Sequence, residues 1–226
     1  MIVIAAYNSV DYIENLLNSI RTSMIDEDVL VVCTCPKQTD FIEAMGRHLD
    51  TTEYPFKVQH TVTPYSGYDT GAYIWAYQNY KDDYYIFLHD SIVANHDQWF
   101  ERFKSFRSEE VLNAWCYFGI LTAYDPEHTA FFLPKMHEYP IIDDNYPGIF
   151  GPMFQISRKA LQMIDEKYDL TRFIPTYKNE ACAMERGWTY LALGTGIGVN
   201  IIDGHYGITP EHYRNMSLTK FLRNRY

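Results

Sequence analysis

Short runs of consecutive apolar residues alternate, in the first half of the chain, with stretches in which apolar residues recur every three or four positions. A continuous apolar run is typical of a strand buried on both faces of a parallel sheet. The three-and-four spacing of Ile13, Leu16, Leu17 and Ile20 is typical of a helix that rests on such a sheet. The pattern predicts strands at residues 1–6, 29–33, 56–62 and 84–88, and helices at residues 10–20, 39–49 and 71–80.

The second half of the chain is less regular but continues the alternation. Strand-like segments occur at residues 114–121, 153–156 and 198–202, and helical segments at residues 97–106, 158–166 and 180–187. Strands that alternate with helices imply a mostly parallel sheet. We therefore expect the α/β class, with an open, mostly parallel central sheet, flanking helices and a single domain over residues 1–226.

Charge and composition exclude several classes of function. The formal net charge of -10 argues against a nucleic-acid partner, because phosphate backbones are bound by an excess of lysine and arginine. No apolar run approaches the roughly 20 residues of a membrane span, and the basic residues 220–225 predict at most a weak peripheral contact with an anionic membrane surface. The four cysteines do not form the paired CxxC pattern of a zinc site, which favours a reducing, cytoplasmic location.

Polar residues end the apolar runs, and in open α/β sheets ligands bind beyond the carboxyl ends of the strands. Asp90 follows the most apolar of these runs and precedes Ser91. A carboxylate held at this edge can ligate Mg²⁺ or Mn²⁺ that bridges a pyrophosphate. The alternative is that Asp90 and Ser91 only cap the next turn or helix, as these residue types often do.

Five segments of the chain resemble the GT-A fold nucleotide-sugar glycosyltransferases of the family-two type. They are residues 2–8, YSGYDTGAYIWAYQNY, YYIFLHDS, GPMFQISRKAL and NEACAMERGW. In that family an N-terminal strand ends in a Tyr-Asn-like turn, a glycine-bearing helix precedes the central strand, and this strand ends in an acidic DxD motif that holds metal and diphosphate. The residues that match those places are Tyr7, Asn8, Asp69, Gly71 and Asp90.

The resemblance implies a metal-assisted transfer of sugar from a UDP- or GDP-linked donor to a glycan, lipid-linked or protein acceptor. It places nucleotide-sugar binding, with Ser91 included, in residues 1–95 and the acceptor side in residues 96–226. This chain has one aspartate where the usual motif has two. The substitute ligand is His89 or His205. Members of the fold often complete the metal shell with a histidine near the C-terminus, which implies that His205 joins Asp90 in holding Mn²⁺ or Mg²⁺. The alternative for His205 is a hydrogen-bonded residue in a glycine-rich turn.

Inverting sugar transfer needs a general base that takes the proton of the acceptor hydroxyl. Glu180 resembles the acidic residue of the acceptor-site helix, and Trp188 of the same segment is a candidate for lining the acceptor cleft. The alternative for Glu180 is stabilisation of a helix N-terminus. Two other functions stay open: a non-catalytic domain of the same fold that binds a nucleotide or glycan, and another α/β nucleotide-using transferase.

Overall fold

The elements of the protein are known from a computed structural model that describes residues 1–35, 37–118, 130–131, 133–136, 148–204 and 216–220. The strands are β1 (Ile2–Ala6), β2 (Val29–Cys33), β3 (Val58–Val62), β4 (Tyr84–His89), β5 (Ile92–Ala94), β6 (Val111–Ala114), β7 (Tyr117–Phe118), β8 (Gly148–Ile149), β9 (Phe154–Ser157), β10 (Gly198–Ile201) and β11 (Leu218–Lys220). The α-helices are α1 (Val10–Ser19), α2 (Thr39–Thr51), α3 (Tyr68–Asn79), α4 (Trp99–Ser105), α5 (Arg158–Tyr168) and α6 (Lys178–Gly194). Single 3₁₀ turns occupy Leu133–Lys135 and Leu170–Phe173.

The main sheet of the described residues has seven strands in the order β10, β6, β9, β4, β1, β2, β3. Strand β9 runs antiparallel to both of its neighbours, while the pairs of β1 with β2, β1 with β4, β2 with β3 and β6 with β10 are parallel. The parallel strands therefore present their carboxyl ends at one edge, which is called the carboxyl edge below. The predicted fold class is confirmed: an open, mostly parallel sheet with flanking helices.

Both faces of the sheet are buried, which explains the continuous apolar runs. Ile2 and Ile4 of β1 belong to a core cluster that also contains residues of α1, α2 and α4. Val3 and Ala5 belong to the opposite cluster, with residues of α3, α5 and α6. Because successive side chains of a strand point to opposite faces, a strand covered by helices on both sides needs apolar residues throughout.

The types of the helices and strands agree with the sequence predictions better than their first and last residues do. Helix α6 was predicted to end at Gly187 but continues to Gly194, because the residues after Gly187 are buried against the sheet. Side-chain atoms of Met184 occupy the space where a Cβ of residue 187 would lie, so the helix passes through this glycine with close packing. Tertiary burial here outweighs the low helix propensity of glycine.

The small sheet of β5 and β11 was not predicted. β11 runs antiparallel to β5, with Leu218 opposite Ala94, so the chain near residue 218 returns to the segment that directly follows Asp90. Within the predicted strand at residues 114–121, the structure shows the end of β6 and all of β7, and residues 119–121 lie outside the described part. None of the described helices combines the length and apolarity that a membrane span requires.

Candidate functional site

Asp90 lies at the carboxyl edge, directly after β4 and beside the end of β1. Strand pairing places His89 opposite Ala5, and the N–H of Asp90 donates to the carbonyl of Ala5 at 3.0 Å, which extends the ladder by one residue. The backbone N–H of Tyr7 donates in turn to Oδ2 of Asp90 at 2.9 Å. Asp90 is only 4% exposed, and these two bonds hold it at the ends of β1 and β4.

Asn8 and Ser91 flank this carboxylate in the two turns that leave the sheet. Asn8 is exposed between β1 and Ser9, whose hydroxyl accepts the N–H of Tyr12 and caps α1. The hydroxyl of Ser91 lies 2.9 Å from Nδ1 of His89, and both side chains are buried. The structure therefore brings Asn8 and Ser91 to the edge that carries Asp90, while their part in donor binding stays a prediction.

An aromatic pair lies next to Asp90. The rings of Tyr7 and Tyr68 are nearly parallel, with centroids 5.9 Å apart and an interplanar angle of 11°. Nζ of Lys178 lies 5.7 Å from the centre of the Tyr68 ring. Tyr68 begins α3 and Lys178 begins α6, so the N-termini of these two helices meet at the carboxyl edge.

Asp69 and Gly71 occupy the first turn of α3. Oδ1 of Asp69 accepts the N–H of Thr70 at 2.9 Å. Gly71 is buried, and a Cβ at this position would lie 3.3 Å from Cβ of Tyr65 and 3.8 Å from Cγ2 of Ile174. The glycine thus permits close packing of α3 against both segments, and its predicted contact with a donor stays a prediction.

The phenol of Tyr73 is buried, and the charges of the two aspartates of the site affect its pKa. Burial raises the pKa of Tyr73 well above its usual value, and the negative charges of Asp69 and Asp90 raise it further. The hydroxyl has no hydrogen-bond partner among the residues the structure describes. The side chain of Tyr73 is fully buried and stacks on Phe87 with ring centroids 4.5 Å apart.

Glu180 lies in the first turn of α6, two positions after Lys178. Its Oε2 accepts the backbone N–H of Thr176 at 2.7 Å and the hydroxyl of Thr176 at 2.8 Å. These bonds tie the first turn of α6 to Thr176, the residue before the N-cap Tyr177, and so stabilise the start of the helix. Burial lowers the pKa of Lys135, and the negative charge of Glu180 partly offsets this effect. A general-base role for Glu180 stays a prediction beside this helix-stabilising one.

The predicted metal centre is represented among the described residues by Asp90 alone. No three His, Cys, Asp or Glu side chains in this part of the chain converge in a group that could hold a metal ion. His205 lies outside the described residues. A carboxylate oxygen suits both Mg²⁺ and Mn²⁺, so Asp90 fits one ligand position.

Burial, with a smaller effect of Cys33, raises the pKa of Cys35 to about 11, so this nearby thiol is protonated at neutral pH.

Several residues at the carboxyl edge were not predicted as part of the site, or have another role than predicted. Asp203 follows β10, and its side chain is 1% exposed. The carboxylate accepts hydrogen bonds from Nε1 of Trp115 and from the N–H of Ser217, and it pairs with Arg102 at 3.0 Å. It thereby holds the segment before β11 to the edge.

Trp188 is fully buried against Phe154 with ring centroids 4.9 Å apart, so it belongs to the core and not to an acceptor cleft.

Tyr68 and Lys178 were also missed, although both lie in or beside segments that carry the family resemblance. Lysine and tyrosine are common surface residues, and neither has a sequence signal of its own. Their significance comes from the contact between them, which joins the starts of two helices. Only the packing of α3 beside α6 brings these positions together.

Comparison with known proteins shows likeness in structure but not in sequence. No protein-family model and no curated protein sequence matches the chain. The mannosyltransferase PcManGT from Pyrobaculum calidifontis, solved in complex with GDP-Man and Mn²⁺, matches with a TM-score of 0.50 and 12% identity over 88% of this chain and 53% of that one. This chain therefore spans about half the length of the mannosyltransferase.

A second solved structure resembles the chain over a larger share of both molecules. It is assigned as a glucose-1-phosphate thymidylyltransferase from Bacillus anthracis and was solved in complex with a sucrose; it matches with a TM-score of 0.51 and 9% identity over 97% of this chain and 88% of that one. At such low identities the two comparisons establish a shared fold only.

Proposed function

We propose that the chain is a nucleotide-sugar-dependent glycosyltransferase, which moves a sugar from a UDP- or GDP-linked donor to an acceptor hydroxyl. The observation that carries the proposal is the setting of Asp90, a buried carboxylate bonded to the amide of Tyr7 at the carboxyl edge of the sheet. Ligands of open α/β sheets bind at this edge. The fold is shared with a mannosyltransferase solved with GDP-Man and Mn²⁺, which supports the same class of donor.

The proposed donor site consists of Tyr7, Asn8, Asp69, Gly71, Asp90 and Ser91. The tyrosine ring offers an apolar face for a base or sugar, and the carboxylates accept hydrogen bonds from sugar hydroxyls. We propose that Asp90 and His205 hold a divalent cation, Mn²⁺ or Mg²⁺. When bound, the cation would offset the negative charge of the leaving diphosphate.

The proposed acceptor side includes Glu180 as general base for an inverting transfer. Its carboxylate lies at the beginning of α6, the helix whose first residue contacts the aromatic pair. A glycan, a lipid-linked sugar and a protein side chain all present the hydroxyl that such a base would deprotonate. We place the reaction in the cytoplasm, because all four cysteines are free thiols.

Replacement of Asp90 tests the proposal. Asp90→Asn keeps an oxygen that accepts the amide of Tyr7, so we expect the fold to persist while hydrolysis of the preferred nucleotide sugar falls by about a hundredfold or more. A panel of UDP- and GDP-sugars, measured by release of the nucleoside diphosphate with and without Mn²⁺, supplies the readout. The matched control is Asp28→Asn, which removes a charge at the opposite edge of the sheet, just before β2. Equal activity of Asp90→Asn and wild type would contradict the proposal.

A nucleotidyltransferase is the second candidate, because the thymidylyltransferase match covers more of both chains than the mannosyltransferase match does. In that reaction a phosphate oxygen of a sugar 1-phosphate attacks the α-phosphorus of a nucleoside triphosphate, and pyrophosphate leaves. Release of pyrophosphate from glucose 1-phosphate with a panel of nucleoside triphosphates would favour it. Binding of a nucleotide without turnover, unaffected by a chelator, would instead favour a non-catalytic binding domain.

A further inference from the structure

Tyr68 and Lys178 each occupy a helix position that is unfavourable for their residue type. Tyr68 is the first residue of α3 and has a φ of 53°, a left-handed conformation that bulky side chains rarely adopt. Lys178 is the first residue of the 17-residue helix α6, where its positive charge meets the positive end of the helix dipole. Neither residue is therefore favoured by the helix that it begins.

Within the described part of the chain, the side chains of both residues make ring contacts but no hydrogen bond or ion pair: Tyr68 stacks on Tyr7, and Lys178 lies over the ring of Tyr68. Asp169, the other non-glycine residue described with a positive φ, has a local reason, because its carboxylate accepts the N–H of Thr171 at 3.2 Å. Lys178 is exposed and has no hydrogen bond or ion pair with any described residue. Its contact is with the ring of Tyr68. Residues that break local rules without a structural gain are expected at functional sites.

Both residues lie beside the proposed donor site. A continuous set of contacts runs from Lys178 to the ring of Tyr68 at 5.7 Å, from Tyr68 to Tyr7 at 5.9 Å, and from the amide of Tyr7 to Asp90 at 2.9 Å. Asp69 in the first turn of α3, Glu180 in the first turn of α6 and Asp90 beside Tyr7 give the carboxyl edge several negative charges. An anionic ligand bound here needs a positive charge nearby, and an exposed ammonium without an ion pair can supply it.

We propose that Lys178 and Tyr68 form a subsite for a phosphate group of the substrate. The ammonium of Lys178 donates hydrogen bonds to the phosphate oxygens, and the ring of Tyr68 positions the lysine by the cation–π contact. The inference rests on the proposed function where the phosphate is part of the donor diphosphate. A phosphate ester on the acceptor has the same chemistry, and the experiment below separates the two sources.

Calorimetric titration at low ionic strength tests the subsite, because salt screens an exposed charge. The probes are inorganic pyrophosphate, UDP, GDP, uridine, guanosine and glycerol 3-phosphate. We expect Lys178→Gln to weaken binding of pyrophosphate and of the preferred nucleoside diphosphate by about tenfold or more, and to leave nucleoside binding unchanged. The matched control is Lys81→Gln, which removes an exposed lysine charge before β4, at the opposite edge; it should bind like wild type.

Thermal stability distinguishes a binding role from a structural one. Asparagine tolerates a positive φ better than tyrosine does, so Tyr68→Asn should keep or raise the melting temperature while it weakens phosphate binding. Lys178→Gln should also keep or raise it, since it removes an unfavourable charge from the helix N-terminus. Tyr68→Phe retains the ring and should retain phosphate affinity. A lowered melting temperature in both Tyr68→Asn and Lys178→Gln would assign these residues to the fold and overturn the subsite.

The remaining outcomes separate the subsite from the proposed function. Binding of pyrophosphate that depends on Lys178, without binding of UDP or GDP, would support the subsite and contradict the glycosyltransferase. Binding of UDP or GDP with no effect of Lys178→Gln on any probe would overturn the subsite alone. A loss confined to glycerol 3-phosphate would assign the phosphate to the acceptor. If wild type binds none of the probes, both proposals fail.

Discussion

The carboxylate of Asp90 shows how one side chain depends on the pairing of two strands. The residue follows the most apolar strand, and the sequence alone predicts a polar group at that end. Its bond to the amide of Tyr7 requires in addition that β1 and β4 pair with His89 opposite Ala5. A shift of one residue would remove this bond, because successive residues of a strand point in opposite directions. The position of Asp90 was therefore predictable, and its partner was not.

Glu180 has two hypothetical roles that a single substitution separates. Glu180→Gln keeps an oxygen that can accept both bonds from Thr176, so we expect the free energy of unfolding to change by less than about 1 kcal/mol. If Glu180 is the general base, sugar transfer should fall by about a hundredfold to ten-thousandfold. Turnover of the preferred donor and acceptor, together with urea unfolding, measures both quantities.

The control for this substitution is Glu43→Gln, which removes an exposed carboxylate from α2, on the other side of the sheet. It should change neither the rate nor the stability appreciably. Full activity of Glu180→Gln would show that the residue serves only the start of α6.

At the scale of elements, the starts of α3 and α6 create the candidate site. The apolar pattern predicted both helices but placed their starts at residues 71 and 180, whereas they begin at Tyr68 and Lys178. Apolar spacing reports which helix face is buried and carries little information about the first, exposed turn. The residues that join the two helices lie in those first turns, which is why the sequence did not indicate them.

Gly67→Ala tests the packing that holds these two helix starts. An added Cβ would overlap Cγ2 of Ile174 and lie 3.1 Å from Cα of Gly71. We expect a loss of about 1–3 kcal/mol in unfolding free energy from overpacking. Donor affinity should weaken as well, because Ile174 lies shortly before the first residue of α6, Lys178, and a displaced Ile174 would shift the start of that helix. Urea unfolding and ligand titration provide the measurements.

Gly198→Ala is the comparison for this substitution, since a Cβ at residue 198 would meet its nearest atoms at an ordinary 3.6 Å. Its destabilisation should be clearly smaller. Equal stabilities of the two variants would show that the contact between Gly67 and Ile174 does not constrain the start of α3.

On the scale of the whole molecule, the central strand β4 connects the parallel part of the sheet to the antiparallel strand β9. Phe87 of β4 is fully buried and stacks on Tyr73 of α3, and its ring centroid lies 5.1 Å from that of Phe154 in β9. These rings belong to one core cluster that includes residues from both halves of the chain. The two halves of the chain should therefore unfold together, as the predicted single domain requires.

Phe87→Ala tests this core. We expect a loss of about 3–5 kcal/mol, because the substitution leaves a cavity between α3 and β9. Guanidinium unfolding followed by circular dichroism should still show a single transition, shifted to lower denaturant. Phe106→Ala, at a position that is 38% exposed, should cost less than about 1 kcal/mol. Two separate transitions would contradict the prediction of a single domain.

The sequence by itself determined the α/β class, the order of strands and helices in the first half, and the place of Asp90 at a strand end. Periodicity is sufficient for these features because burial on one or two faces is recorded in neighbouring residues. The tertiary structure decided the insertion of β9 between β4 and β6, the bond from Tyr7 to Asp90 and the contact of Lys178 with Tyr68. Those features depend on strand order, register and helix packing, which join residues far apart in the chain and leave no local pattern in it.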